Sequence, residues 1–90
     1  QAGYTPSNTM AYESGLARSQ ALGRAVDLMS NFVLTYAPEQ SFMVLKELEE
    51  LTDLEQLAVA LGGYEMLMGH LGPVAQEHLL LIKQILRESL

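Results

Sequence analysis

An all-α fold is predicted for this chain: a small bundle of four to five helices with a helical corner at Gly62-Gly63. Three observations carry that prediction. Apolar residues recur at spacings of three and four over most of the sequence. No stretch has the two-residue alternation of a half-buried strand. Proline and glycine stand where helices start and stop, at Pro38, Gly62-Gly63 and Gly72-Pro73.

Residues 1–8, with Gly3, Pro6, Ser7 and Asn8, read as a flexible arm ending in a helix cap, Ser7 or Asn8 accepting from the amides of the first turn. Residues 9–90 form a single helical domain, because 90 residues leave no room for a second. A first helix is expected from about Thr9 to Tyr36. Between Ala21 and Tyr36, Leu22, Ala25, Val26, Met29, Phe32, Val33 and Tyr36 fall three and four apart. With Ala21 and Leu28 they cover an arc of about 160°, broader than one helix–helix seam uses. Upstream, Gly15 and Gly23 each cost about 1 kcal/mol relative to alanine, and a break or kink would fall at Gly15.

Pro38 ends that helix and fits the first position of the next, with Glu39 in the first turn, where the helix dipole favours an acid. Over 38–51 the expected buried side is Phe42, Val44, Leu45, Leu48 and Leu51, and the outer side Lys46, Glu47, Glu49 and Glu50. Thr52 followed by Glu55 matches a capping box, in which each side chain bonds the other residue's amide. A third helix therefore starts at 53, with Leu54, Leu57, Ala58 and Leu61 facing inward. Two adjacent glycines inside a helix would cost about 2 kcal/mol together, so Gly62-Gly63 is expected to end or bend it. Tyr64 to Leu71 then makes a short helix closed by Gly72-Pro73. The last helix, over 74–89, carries Ala75, His78, Leu79, Leu81, Ile82, Ile85 and Leu86 on a broad apolar face, with Leu80 outside it.

A chain of this length buries only roughly 60–65% of its unfolded surface. Yet 49% of its residues are hydrophobic, a surplus that points to apolar surface left for another chain. The net charge of −6 disfavours phosphate backbones and anionic lipid and suits a basic patch on a partner protein. Without cysteine, disulfides and thiolate metal sites are excluded. Apolar runs are short, such as Leu79 to Ile82 with four residues, against about 20 needed to span a bilayer. A chain opening on Gln1 is expected to be a trimmed or processed product, and a cytoplasmic protein is the expected setting.

Leu57-Ala58, Leu61-Gly62, Met68 and Leu71 resemble the spacing of a helix-turn-helix DNA-binding motif. In that family an alanine packs at the helix crossing, a glycine makes the turn, and apolar residues anchor the second helix. The resemblance covers about 20 residues and implies a DNA-binding regulator. It departs in the would-be recognition helix, Gly63 to Leu71, which has no Arg, Lys, Asn or Gln to reach base edges. Five basic residues in the whole chain leave no electrostatic footprint, so no nucleic-acid partner is expected.

Met66 and Met68, flanked by Tyr64 and Leu67, offer a soft surface that adapts to a partner helix. A methionine stripe at helical spacing is ordinarily core, and this reading competes with that one. Glu47, Glu49, Glu50, Asp53 and Glu55 fall within nine positions. Such a run is ordinarily a solvated face, and as a functional patch it would steer a basic partner. Glu49 and Asp53, four apart, lack a third converging ligand for a cation. His70 and His78, the only histidines, are eight apart across Gly72-Pro73 and fit no metal spacing, and His78 reads as a half-buried packing residue. Ser14, Ser19, Ser30, Ser41 and Ser89 sit in no nucleophile elbow.

The expectation is a non-enzymatic protein, without cofactor or metal, that inhibits or sequesters a partner protein. An anti-activator binding a bacterial transcription factor, or an immunity-type inhibitor, has this profile. The alternative is a secretion or folding chaperone for an export segment. The expected partner-binding residues are Phe32, Tyr64, Met66, Leu67, Met68 and Leu80, with Glu47, Glu49, Glu50 and Asp53 orienting the partner. No membrane contact is expected, and a homodimer through the first or last helix is.

Overall fold

The computed structural model describes the backbone of residues 6–90 and side chains from residue 15 onward. Within this span the chain forms four α-helices, α1 (Pro6–Tyr36), α2 (Ser41–Glu49), α3 (Leu54–Met68) and α4 (Pro73–Ser89). Short 3-10 turns at Pro38–Gln40 and Gly69–Leu71 join them, and no described residue is in a strand. This is the small all-α bundle the apolar spacing predicts.

α1 passes Gly15 and Gly23 as one helix of 31 residues. It begins at Pro6, earlier than Thr9, because a proline at the first helical position has its φ preset and no amide hydrogen to satisfy. Ser7 and Asn8 thus belong to the first turn; their side chains, and residues 1–5 of the expected arm, lie outside the described residues.

The Ala37 amide closes α1 onto the Val33 carbonyl at 2.9 Å, and Pro38 turns the chain. The Ser41 hydroxyl donates to the Pro38 carbonyl at 2.7 Å as α2 begins. α2 buries Val44 and Leu48 and half-buries Leu45. Phe42, expected inside, is 82% exposed. Residues two apart on a helix point about 200° from each other, so Phe42 cannot share the face of Val44.

The cap of α3 is one residue later than expected. Asp53, in extended backbone, accepts from the Gln56 amide at 2.8 Å, and the Gln56 side-chain oxygen accepts from the Thr52 amide at 2.9 Å. The same three-residue spacing serves, and aspartate is a strong cap. Beyond it, α3 runs straight through Gly62-Gly63 as one helix of 15 residues, so the predicted corner is absent there. Burial overrides propensity: Leu54, Leu57, Leu61, Tyr64 and Met68 form one seam whose three-four rhythm continues across the glycines. Ala58 falls off that seam and is exposed. With no turn after Leu61, the helix-turn-helix resemblance fails in the geometry that motif requires.

Both glycines are exposed, and a Cβ at either would meet nothing within 4 Å. Gly62→Ala and Gly63→Ala are each expected to stabilise the fold by about 1 kcal/mol. The urea midpoint should rise for each; an unchanged or lower midpoint would contradict a continuous α3.

The chain reverses instead at Gly69–Gly72. Gly72 has φ +82 and ψ −146, a conformation that costs other residues strain, and Pro73 opens α4. α4 buries Ala75, His78, Leu79, Ile82, Ile85 and Leu86. Arg18 ties the far end together: its Nε donates to the Ser89 carbonyl at 3.4 Å, and its Nη1 lies 3.7 Å from Glu55 Oε2. At the opposite end Tyr36 and Val74 line one cleft. α4 therefore runs antiparallel to α1 and α3 runs with it, giving an up-down-up-down bundle. Met29, Val33, Leu57, Met68, Leu79 and Ile82 fill its centre. α1, about 46 Å long, overhangs the other helices, and residues 15–20 are exposed.

Candidate functional site

The antiparallel pairing of α1 and α4 leaves a groove whose walls follow helical spacing. From α1 it receives Leu28, Phe32 and Tyr36, four residues apart; from α4, Val74, His78 and Leu81. The part at the Tyr36 end encloses about 560 Å³, with Glu77, Gln84 and Leu80 completing its lining. Leu81 also lines a second hollow of about 360 Å³ bounded by Arg24, Asp27, Leu28 and Asn31, so the two form one trough. Tyr36, Leu80 and Leu81 are 47%, 63% and 45% exposed and meet in it. Elsewhere, Val59 and Met66 are exposed on the outer face of α3, and Phe42 lines a smaller hollow of about 340 Å³ with Leu45, Lys46 and Glu49. The α1–α4 trough differs in gathering three large exposed side chains around one concavity.

The floor is aromatic and polar at once. His78 is 8% exposed and stacks flat on Phe32, ring centroids 4.1 Å apart and planes 4° from parallel. Tyr36 leans over Phe32 at 4.7 Å. From α3, the Tyr64 hydroxyl lies 2.6 Å from His78 Nε2, and the two rings meet edge to face. This buried bond joins α3 to α4 beneath the groove. Burial holds the Tyr64 hydroxyl well above its ordinary pKa and pushes His78 below its own, so both are neutral near pH 7.

The sign of the resulting pH dependence is fixed. The unfolded chain binds a proton at His78 more readily than the folded chain does. This contribution to stability is complete above the ordinary value of 6.5 and is lost as pH falls from there through the lowered folded value. Carboxylates also titrate in acid, so the comparison is between wild type and His78→Phe. Urea midpoints from pH 8 to 5 should fall more steeply for wild type; parallel curves would contradict the burial of a neutral imidazole.

Of the residues expected to contact a partner, Tyr64 and Met68 are buried in the core, because each falls on the inner seam of α3. Phe32 is buried too, and its ring lines the floor of the groove. Leu67 is half-buried against that core. Met66, at 85% exposed, lies on the outer face of α3 and lines no part of the groove. Leu80 does line it. Glu47, Glu49, Glu50 and Asp53 are exposed on and beyond α2, away from the groove lining. Asp53 is occupied as a helix cap. Because α2 ends at Glu49, Glu49 and Asp53 share no helix face. Tyr36, Val74, Glu77 and Leu81 also line the groove and are not among the residues expected from the sequence to contact a partner. For Tyr36 the sequence signal is the wide apolar arc of α1, which a single seam leaves partly uncovered.

Among the described residues no group of three or more His, Asp or Glu side chains converges as metal ligands. No described helix is long and apolar enough to cross a membrane. No protein-family profile, curated protein or solved structure matches the chain.

Proposed function

We propose that this chain is a non-enzymatic protein-binding regulator that inhibits or sequesters a partner protein by docking it in the α1–α4 groove. The observation that carries this reading is the convergence of Tyr36, Leu80 and Leu81, each roughly half-exposed, on a trough with an aromatic floor. Removing such apolar area from water contributes about 25 cal/mol per Å², enough to drive association where the shapes fit. The acidic run from Glu47 to Asp53 acts at longer range, favouring a partner with basic surface and raising the rate of encounter. An anti-activator or an immunity-type inhibitor works this way.

The chaperone reading keeps the same groove and changes the occupant: a chaperone binds an isolated export segment, whereas an inhibitor needs a folded domain. A second copy of the chain, giving a homodimer through α1 or α4, would compete for the same surface.

Affinity capture with wild type, Leu81→Glu and Val59→Glu, read by mass spectrometry, tests the proposal. One stoichiometric protein retained by wild type and Val59→Glu and lost with Leu81→Glu is the expected result. Capture that survives Leu81→Glu would overturn it. Repeating the capture with fragments of the retained protein separates an isolated segment from a folded domain.

A further inference from the structure

The groove has one polar feature on its floor, and that feature selects what lies above it. Tyr64 is buried and its hydroxyl has one partner among the described residues, His78 Nε2. If Nε2 carried the proton, the Tyr64 hydroxyl hydrogen would be buried with no acceptor, at a cost typical of an unsatisfied donor. With Tyr64 donating to Nε2, that hydrogen is satisfied and the imidazole proton sits on Nδ1. Nδ1 has no partner among the described residues, and it is not sealed off, since the buried side-chain polar atom without a partner there is Gln40 Oε1. It therefore opens onto the groove that His78 lines. The floor presents a single N–H donor amid Phe32, Tyr36, Val74 and Leu81.

The trough's dimensions suit a helix. From Arg24 to Tyr36 it follows three turns of α1, about 18 Å, the length of a helix of about 12 residues. Its lining charges are Glu77 and Asp27 against Arg24, one net negative charge, on a chain of net charge −6. A carboxylate on the occupant would be repelled, whereas a neutral oxygen acceptor would not.

We propose that the occupant is an amphipathic helix of another protein, about three turns long, whose apolar ridge carries one neutral acceptor side chain (Asn, Gln, Ser or Thr) over His78 Nδ1, with a basic residue facing Glu77. This rests on the groove-docking reading and specifies its partner. The apolar ridge supplies affinity, and the Nδ1–H bond fixes register, because a helix shifted along the trough leaves both the donor and the acceptor unpaired.

A displayed library of 14-residue helices, randomised on one face, is the probe, selected against the full chain with counter-selection on Leu81→Glu. Winners should share an apolar stripe, one fixed Asn, Gln, Ser or Thr within it, and a Lys or Arg near one end. Their affinity should fall about tenfold against His78→Phe, provided circular dichroism shows that the variant is folded. Long-range ¹H–¹⁵N spectra of the imidazole give a second readout that needs no variant: the proton on Nδ1 in the free protein, and a shifted Nδ1 resonance on binding. Winners that lose binding to Leu81→Glu but bind His78→Phe as tightly as wild type, with no fixed acceptor, would overturn the acceptor while leaving the groove. Binders indifferent to Leu81→Glu, or no binders, would overturn the groove as a helix site. A free imidazole protonated on Nε2 would overturn the donor.

Discussion

Met68→Ala is expected to destabilise the protein by about 2–5 kcal/mol and to lower Tm by about 10–25 °C. Met68 is completely buried, on the same seam of α3 as Leu61 and Tyr64, in the common core with Met29 and Leu79. Truncation removes its thioether and leaves a cavity that neighbours held by three other helices close only in part. For a chain of 90 residues this is a large share of a net stability of about 5–10 kcal/mol. Met66, two positions earlier, is almost wholly exposed, and Met66→Glu should move stability by less than about 0.5 kcal/mol. Thermal unfolding followed by circular dichroism checks the pair. Equal effects of the two substitutions would mean that α3 is rotated from the orientation described here.

Leu81→Glu should do the opposite, leaving the fold intact and removing the partner. The side chain is half-exposed in the free protein, so a glutamate there reaches water and unfolding should shift by about 0.5 kcal/mol or less. Once the groove is covered, the same carboxylate would be desolvated opposite an apolar ridge. Loss of a central apolar anchor costs about 2 kcal/mol or more, so affinity should drop at least about 30-fold. Isothermal titration with the captured partner measures it. A fall of less than about threefold, with the fold intact, would remove Leu81 from the interface.

Much of this architecture could be read from the sequence, because periodicity and punctuation both report backbone requirements directly. Pro38 and Gly72-Pro73 mark real reversals, and α1, α2 and α4 lie close to their expected bounds. The error at Gly62-Gly63 came from weighing an intrinsic cost of about 2 kcal/mol above a pattern. Leu54, Leu57, Leu61, Tyr64 and Met68 keep three-four spacing across the glycines, and burying that seam outweighs the propensity. The same seam would have sorted Met68 from Met66. The capping box was misplaced by one residue because Thr52/Glu55 and Asp53/Gln56 are both three apart, and only the side-chain bonds decide between them.

The groove was less legible. Phe32 and Tyr36 lie more than forty positions from His78 and Leu81 in the chain, and no local pattern announces that their edges meet. The wide arc on α1 foretold surplus apolar surface, but which side stayed open depended on where α4 docked. The Tyr64–His78 bond, spanning fourteen positions across the Gly69–Gly72 turn, depends on both helices holding their register.

Amide hydrogen exchange on the complex with the captured partner tests the central claim most directly. Binding should slow exchange of backbone amides around Leu28 to Tyr36 of α1 and Val74 to Gln84 of α4, leaving α3 from Val59 to Met66 unchanged. Protection concentrated on Val59 to Met66, with the α1–α4 edges unaffected, would place the partner on another face and contradict the account.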